Sequence, residues 1–266
     1  MPVTLGRIDE DVTELSQKRC EIGMVGLGVM GRNLALNMAD HGVAVAGCDK
    51  DPAKVSTLEL EAEKRDIHGA ADIRKFIALL RPPRAIIMLV PAGPPVDSVI
   101  KDLLPHLNEG GSHDRCRQFL LQDTDVRARD LEEKGIHFLG VGVSGDATRA
   151  RHGPSIVPGG SKEAYERVRP IFEAAAAQVN GEPCVTWLGP ESAGHFVKMV
   201  HKGIEYGIMQ LIAETYDLMK RGVGMNDDEL AETYASWNKD ELNSYLVETS
   251  SHIFPKKGQN VKQTTD

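Results

Sequence analysis

Residues 21–49 constrain the fold most. Glu21-Ile22-Gly23-Met24-Val25-Gly26 is a short apolar run of strand character that ends in glycine. Gly26-Leu27-Gly28-Val29-Met30-Gly31 follows as GxGxxG and opens a helical stretch, Gly31 to Ala39, with Leu34, Leu36 and Met38 apolar. Gly42 stops that helix, and Val43 to Cys48 reads as a second strand reaching Asp49, 18 residues past Gly31. The glycine pattern alone recurs in many tight turns. Strand, loop, helix and second strand together specify a dinucleotide site. The first glycine permits the turn, the second lets the backbone approach a pyrophosphate, and the third allows close helix–strand packing. The helix N-terminus then offers N–H groups and a positive dipole end. Gly26, Leu27, Gly28, Val29, Met30 and Gly31 are therefore the candidate cofactor loop. An acid ending the second strand hydrogen-bonds an adenosine 2′-hydroxyl and repels a 2′-phosphate. Asp49 thus favours NAD over NADP, while Lys50 beside it is able to pair with a phosphate. The expected cofactor is NAD or NADP.

The rest of the first half repeats the alternation. Arg84 to Val90 is a continuous apolar run, as suits a parallel strand buried on both faces, and Pro91-Ala92-Gly93-Pro94-Pro95 closes it as a loop. Ile136 to Val143 is a further strand, entering Ser144-Gly145. Strands alternating with helices predict a doubly wound α/β domain of Rossmann type. From about Glu182 the strand signals fade. Ser192 to Arg221 reads as one long helix, broken by Gly222 and Gly224, and Met225 to Trp237 and Asp240 to Phe254 read as two more. The expected organisation is a polar leader, 1–19, a dinucleotide-binding domain, 20–185, an all-helical domain, 186–254, and a disordered tail, 255–266. The leader holds several acids and no apolar core, unlike a signal peptide. A net charge of −8 without a basic stripe argues against nucleic acid. Cys20, Cys48, Cys116 and Cys184 form no CxxC pair, so neither a zinc site nor a disulfide framework is expected, and a reduced, cytoplasmic setting fits. No apolar run approaches the length of a membrane span.

The stretch from Gly194 to Gly207 carries the chemistry. Lys198, His201, Lys202 and Glu205 stand at i, i+3, i+4 and i+7, one face of a helix. Val197, Val200, Ile204 and Ile208 stand at the spacing of a packing face. The polar face suits either a solvated charged surface or an acid/base set, a lysine close to a carboxylate and an imidazole.

Gly26 to Asn37 closely resembles the start of decarboxylating 6-phosphogluconate dehydrogenases. Gly142-Val143-Ser144-Gly145 and Ala150 to Gly160 are similar to that family's substrate loop, and Gly194 to Gln210 resembles its catalytic helix almost residue for residue. The resemblance covers about residues 20–254 apart from one segment. It implies oxidation at C3 of 6-phosphogluconate coupled to loss of carbon dioxide, giving ribulose 5-phosphate. It implies Lys198 as the base for the 3-hydroxyl proton and Glu205 as the acid that protonates the enediol at C1. Ser144, Gly145, His201 and Tyr206 would bind the phosphorylated sugar acid, and Val90, Pro91 and Ala92 would lie along the cofactor. Taken singly, Ser144 suits a turn, His201 a helix histidine and Tyr206 a packing residue. The family assembles as homodimers. A related β-hydroxyacid dehydrogenase keeps the glycine loop and the lysine, and an inactive nucleotide-binding homologue keeps the loop alone; His201, Glu205 and Tyr206 favour the phosphogluconate branch.

Four departures from the family pattern stand out. Lys202 replaces an asparagine, so a side chain that donates and accepts becomes a donor-only cation. Asp146 replaces a second glycine after Ser144-Gly145. Gly111 to Gln122 replaces an apolar strand and an Asp-Gly-Gly-Asn-Ser turn, with Gln118 at the asparagine position. Back-translating this segment and shifting the frame by one base permits Asp-Leu-Met-Ile-Asp-(Val or Ala)-Gly-Asn-Ser, so it reads as the product of two compensating frameshifts. After Phe254 the sequence turns polar and aperiodic, where family members continue with helices carrying a lysine and an arginine for the substrate phosphate. These departures predict weak or absent turnover.

Overall fold

The computed structural model describes residues 20–107 and 121–255. The expectations for the leader 1–19, for Gly111 to Leu120 with Cys116 and Gln118, and for the tail from residue 256 lie outside the described residues. The chain forms two compact units, Met1–Met199 and Val200–Asp266, which divide within one long helix.

The first unit is built on a parallel sheet. Its strands are β1 (Cys20–Val25), β2 (Val45–Cys48), β3 (Ile67–Ala70) and β4 (Leu80–Met88), in the order β3-β2-β1-β4. Helices α1 (Val29–Asp40), α2 (Pro52–Ala62), α3 (Ile73–Leu79) and α4 (Pro94–Leu103) make the connections. Strand alternation sorts the core. Val45 and Ile87 face one buried cluster with Leu34, Met38 and Leu58, whereas Ala46, Ile86 and Met88 face a second with Phe76, Val96 and Leu103. Local chemistry sets the helix starts. Asp51 caps α2 by accepting from Ala53 N, with Pro52 at the first helical position, and Asp72 caps α3 by accepting from Arg74 N and Lys75 N.

Helix α5 (Leu121–Glu132) precedes β5 (Leu139–Ser144). Strand β6 (Ser155–Gly160) returns antiparallel beside β5, with Gly140 opposite Gly159 and Gly142 opposite Val157. The short α6 (Ala147–His152) links them, and α7 (Lys162–Ala175) follows, capped by Ser161. Asn37 of α1 donates to Ala150 O and Ala175 O, tying α1 to both helices.

The long helix, α8, runs Ala193–Asp217. Its first turns pack on the β5–β6 ribbon through Gly194, His195 and Lys198, all buried. This reverses the expected amphipathicity. Val197, Val200, Ile204 and Ile208 are all exposed, Ile204 at 60 %. In the first unit, the glycines of the ribbon leave room for the face bearing Gly194 and the stem of Lys198.

In the second unit α8 passes into a π-helical turn, Leu218–Val223, ended by Gly224 in the left-handed region. Helices α9 (Asp227–Trp237) and α10 (Tyr245–Ile253) follow. A capping box between Asn226 and Glu229 starts α9. Tyr234 centres a small core, its hydroxyl donating to Ile212 O and its ring meeting Phe254 edge-on.

Candidate active site

The glycine loop sits at the C-terminal edge of the sheet, between β1 and α1. Gly26 has φ +95°, and a side chain there would strike Leu89 O; a Cβ at Gly31 would strike Gly26 O. Only glycine fits either position, and this lets the N-terminus of α1 approach the strand ends. A cavity of about 750 Å³ opens beside the loop. Gly26, Gly28, Asp49, Lys50, Val90 and Pro91 line it, six of the expected cofactor residues. Leu27, Val29, Met30, Gly31 and Ala92 are absent from its wall. Leu27 is fully buried and serves through its backbone, donating to Asp49 Oδ2 at 2.8 Å. Asp49 Oδ1 accepts from Asp51 N, and Lys54 Nζ lies 3.5 Å from Oδ2. Lys50 Nζ lies 3.1 Å from Asp102 and 3.3 Å from Ser98, both of which also line the cavity. The cavity's shape, its glycine edge and the acid at the end of β2 fit an adenine dinucleotide.

Several lining residues escaped the sequence reading. Asp72 and Arg74 sit at the start of α3, and the cap pattern of Asp72 before an apolar run was the available signal. The Cys48 thiol also lines the cavity. Burial, followed by the charge of Asp49, pushes its pKa up to about 12, leaving it an inert thiol.

At the ribbon's end, Ser144 pairs with Ser155. Gly145 follows with φ +117°, and Asp146 then caps α6, its Oδ1 accepting from Arg149 N at 2.9 Å. The carboxylate that departs from the family pattern therefore starts a helix. Arg151 of that helix pairs with Asp40 of α1, which also pairs with Arg65. Burial would raise the Asp40 pKa, but the hydrogen bonds and charges of the two arginines together hold it below the usual carboxylate range.

Lys198 is 4 % exposed. Its Cβ and Cγ lie against Gly142, where an added Cβ would stand 2.7 Å from Lys198 Cβ. One turn earlier, His195 Nδ1 meets Thr124 Oγ1 at 2.9 Å, with both residues buried. Burial lowers the His195 pKa to about 4, so its ring is neutral near pH 7. Farther along the helix, His201 and Tyr206 are exposed. Lys202 Nζ lies 3.1 Å from Glu205 Oε2 and 5.4 Å from the centre of the Tyr206 ring. The structure thus gathers Gly142, Thr124, His195 and Lys198 in the first unit and Lys202, Glu205 and Tyr206 in the second. Thr124 and His195 were not foreseen; His195 stands at i−3 from Lys198, the spacing that would have revealed it.

Among the described residues no group of three His, Cys, Asp or Glu side chains is placed to hold a metal ion. No described helix is long and apolar enough to cross a membrane.

Residues 21–189 match the family model described as the NAD binding domain of 6-phosphogluconate dehydrogenase, and residues 194–266 match that of the 6-phosphogluconate dehydrogenase C-terminal domain. The chain is 47 % identical over 239 residues to the NADP(+)-dependent, decarboxylating 6-phosphogluconate dehydrogenase of Bacillus subtilis, covering 90 % of this chain and 51 % of that protein. It is 48 % identical over 237 residues to the human decarboxylating enzyme, covering 88 % and 49 %. The solved 6-phosphogluconate dehydrogenase of Plasmodium falciparum superimposes with a TM-score of 0.87 at 38 % identity, over 92 % of this chain and 53 % of that one. The chain spans about half the length of the curated relatives it matches. With the glycine-loop sheet, the lysine helix and two successive family models in agreement, the chain belongs to the 6-phosphogluconate dehydrogenase family.

Proposed function

We infer that this chain supports oxidative decarboxylation of 6-phosphogluconate to ribulose 5-phosphate. The observation that carries the reading is Lys198, buried in the first turns of α8 against the strand that leads to Ser144 and Gly145. A buried lysine close to a substrate loop is suited to proton transfer. The residues around the cavity fit a nicotinamide dinucleotide, which when bound accepts the hydride from C3. Lys198 takes the 3-hydroxyl proton as that hydride leaves, and returns it to the keto oxygen as the carboxylate departs as carbon dioxide. Glu205 then supplies the proton to C1 of the enediol. Ser144, Gly145, His201 and Tyr206 hold the sugar acid. Residues 20–185 form the cofactor domain and 186–254 the helical substrate and dimerisation domain, working in the cytoplasm.

Asp49 supports NAD as the preferred cofactor. Its carboxylate, held by Leu27 N, lies at the end of β2, where it accepts from a ribose hydroxyl and opposes a 2′-phosphate.

The Lys202–Glu205 ion pair favours a second reading, a homologue that binds cofactor with little turnover. A carboxylate held by an ammonium is a poor proton donor. Steady-state assay with 6-phosphogluconate and each cofactor, beside calorimetry of cofactor binding, separates the two. Reduced cofactor and carbon dioxide formed in equal amounts support the first reading. Binding without turnover supports the second, and no cofactor binding refutes both.

A further inference from the structure

We propose that Thr124 and His195, with the glycine ribbon of β5 and β6, form a seat that fixes the height and direction of Lys198. The proposal rests on the reading of Lys198 as the base and makes Thr124 and His195 positioning residues for it.

The ribbon provides the floor. On one face of β5, Gly140 and Gly142 leave no side chain, and Gly159 of β6 lies opposite Gly140. Gly194 enters this gap so closely that a Cβ on it would strike Gly140 O and Val157 O. One turn on, the stem of Lys198 crosses Gly142. The distance between helix and ribbon is therefore set by backbone, which side-chain rotation cannot relax.

The Thr124–His195 hydrogen bond sets the direction. A helix lying on a smooth glycine floor can still slide or roll. His195, three residues before Lys198, shares its face, and its ring reaches across to Thr124 of α5. The same ring and the Thr124 Cγ2 also fill the space over Gly140, at 3.2 Å and 3.1 Å from an added Cβ. Ser192 Oγ makes a parallel link, 3.1 Å from Asp125 Oδ2. Both links join α5 to the start of α8. A neutral histidine paired with a threonine hydroxyl constrains the helix without adding a charge beside the lysine.

Lys198 reactivity tests the seat without turnover. Brief acetylation followed by peptide mass spectrometry gives the ratio of Lys198 to Lys162 modification as a function of pH. Thr124→Val removes the hydroxyl at nearly constant shape and should raise that ratio about fivefold through easier opening of the first turns of α8, and shift its pH midpoint. Thr124→Ser keeps the hydroxyl and should restore the wild-type ratio. An unchanged ratio in Thr124→Val overturns the proposal. So does a Thr124→Ser protein that behaves like Thr124→Val, because methyl packing alone would then hold the lysine. Protection of Lys198 by 6-phosphogluconate tests the base reading separately: its absence refutes that reading whether or not the seat stands.

Discussion

Asp49 Oδ2 accepts the backbone N–H of Leu27 at 2.8 Å, so the acid that ends β2 also holds the glycine loop. On the proposed reading of Asp49, one carboxylate links cofactor choice to loop geometry. Asp49→Asn keeps an acceptor for Leu27 N and removes the charge. It should leave NAD affinity within a few-fold and improve NADP affinity by about tenfold, the scale of one charge-assisted contact. Calorimetry with both dinucleotides checks this; NADP affinity that does not change would assign discrimination elsewhere in the cavity.

Gly142→Ala should destabilise the first unit by about 1–3 kcal/mol, because the new methyl meets Lys198 Cβ and Val157 Cγ2 inside van der Waals contact. Urea unfolding measures the loss. A variant as stable as wild type would show that α8 lifts from the ribbon at little cost.

His195 gives a pH dependence with a definite sign. Its native pKa of about 4 lies below the ordinary histidine value near 6.5, so between those limits the unfolded chain binds more protons than the folded one. Stability therefore falls as pH drops from 6.5 toward 4. Comparing unfolding free energies at pH 6.5 and pH 5, wild type should lose about 2 kcal/mol more than His195→Gln. Equal losses would mean that the ring is charged in the folded protein.

Asp40 joins α1, which follows the glycine loop, to Arg151 of α6, which follows Ser144 and Gly145. Asp40→Asn removes the charge that both arginines share and should weaken the protein most at low salt. A thermal melt that is insensitive to the substitution at every ionic strength would make this ion triad incidental to the fold.

The sequence made the first unit largely readable where apolar runs are continuous. Strands β1, β2 and β4 follow from such runs, and the glycine loop follows from its place between them. Strand β3, only Ile67–Ala70, carries no such run and was not foreseen. The second strand of the ribbon, Ser155–Gly160, falls within the stretch that resembles the family's substrate loop, and its glycines and proline mask the alternation of a strand. Periodicity marks the branched residues of α8 as inward, whereas in the first unit Gly194 and the stem of Lys198 are the groups that meet the ribbon glycines. The polar members Lys198, Lys202 and Glu205 were visible from spacing. The ion pair between the last two needed coordinates, since i, i+3 spacing permits a pair without requiring one.

That pair leads to the measurement that bears most directly on the chemistry. Lys202→Asn removes the Lys202 ammonium from beside Glu205 and leaves Lys198 in place. With 6-phosphogluconate and NAD, this variant should turn over at least about tenfold faster than wild type, within the range of a recovered general acid. It should release one carbon dioxide per reduced cofactor, and adding Lys198→Met should abolish the reaction. No gain in Lys202→Asn, or turnover that survives the loss of Lys198, would contradict the account.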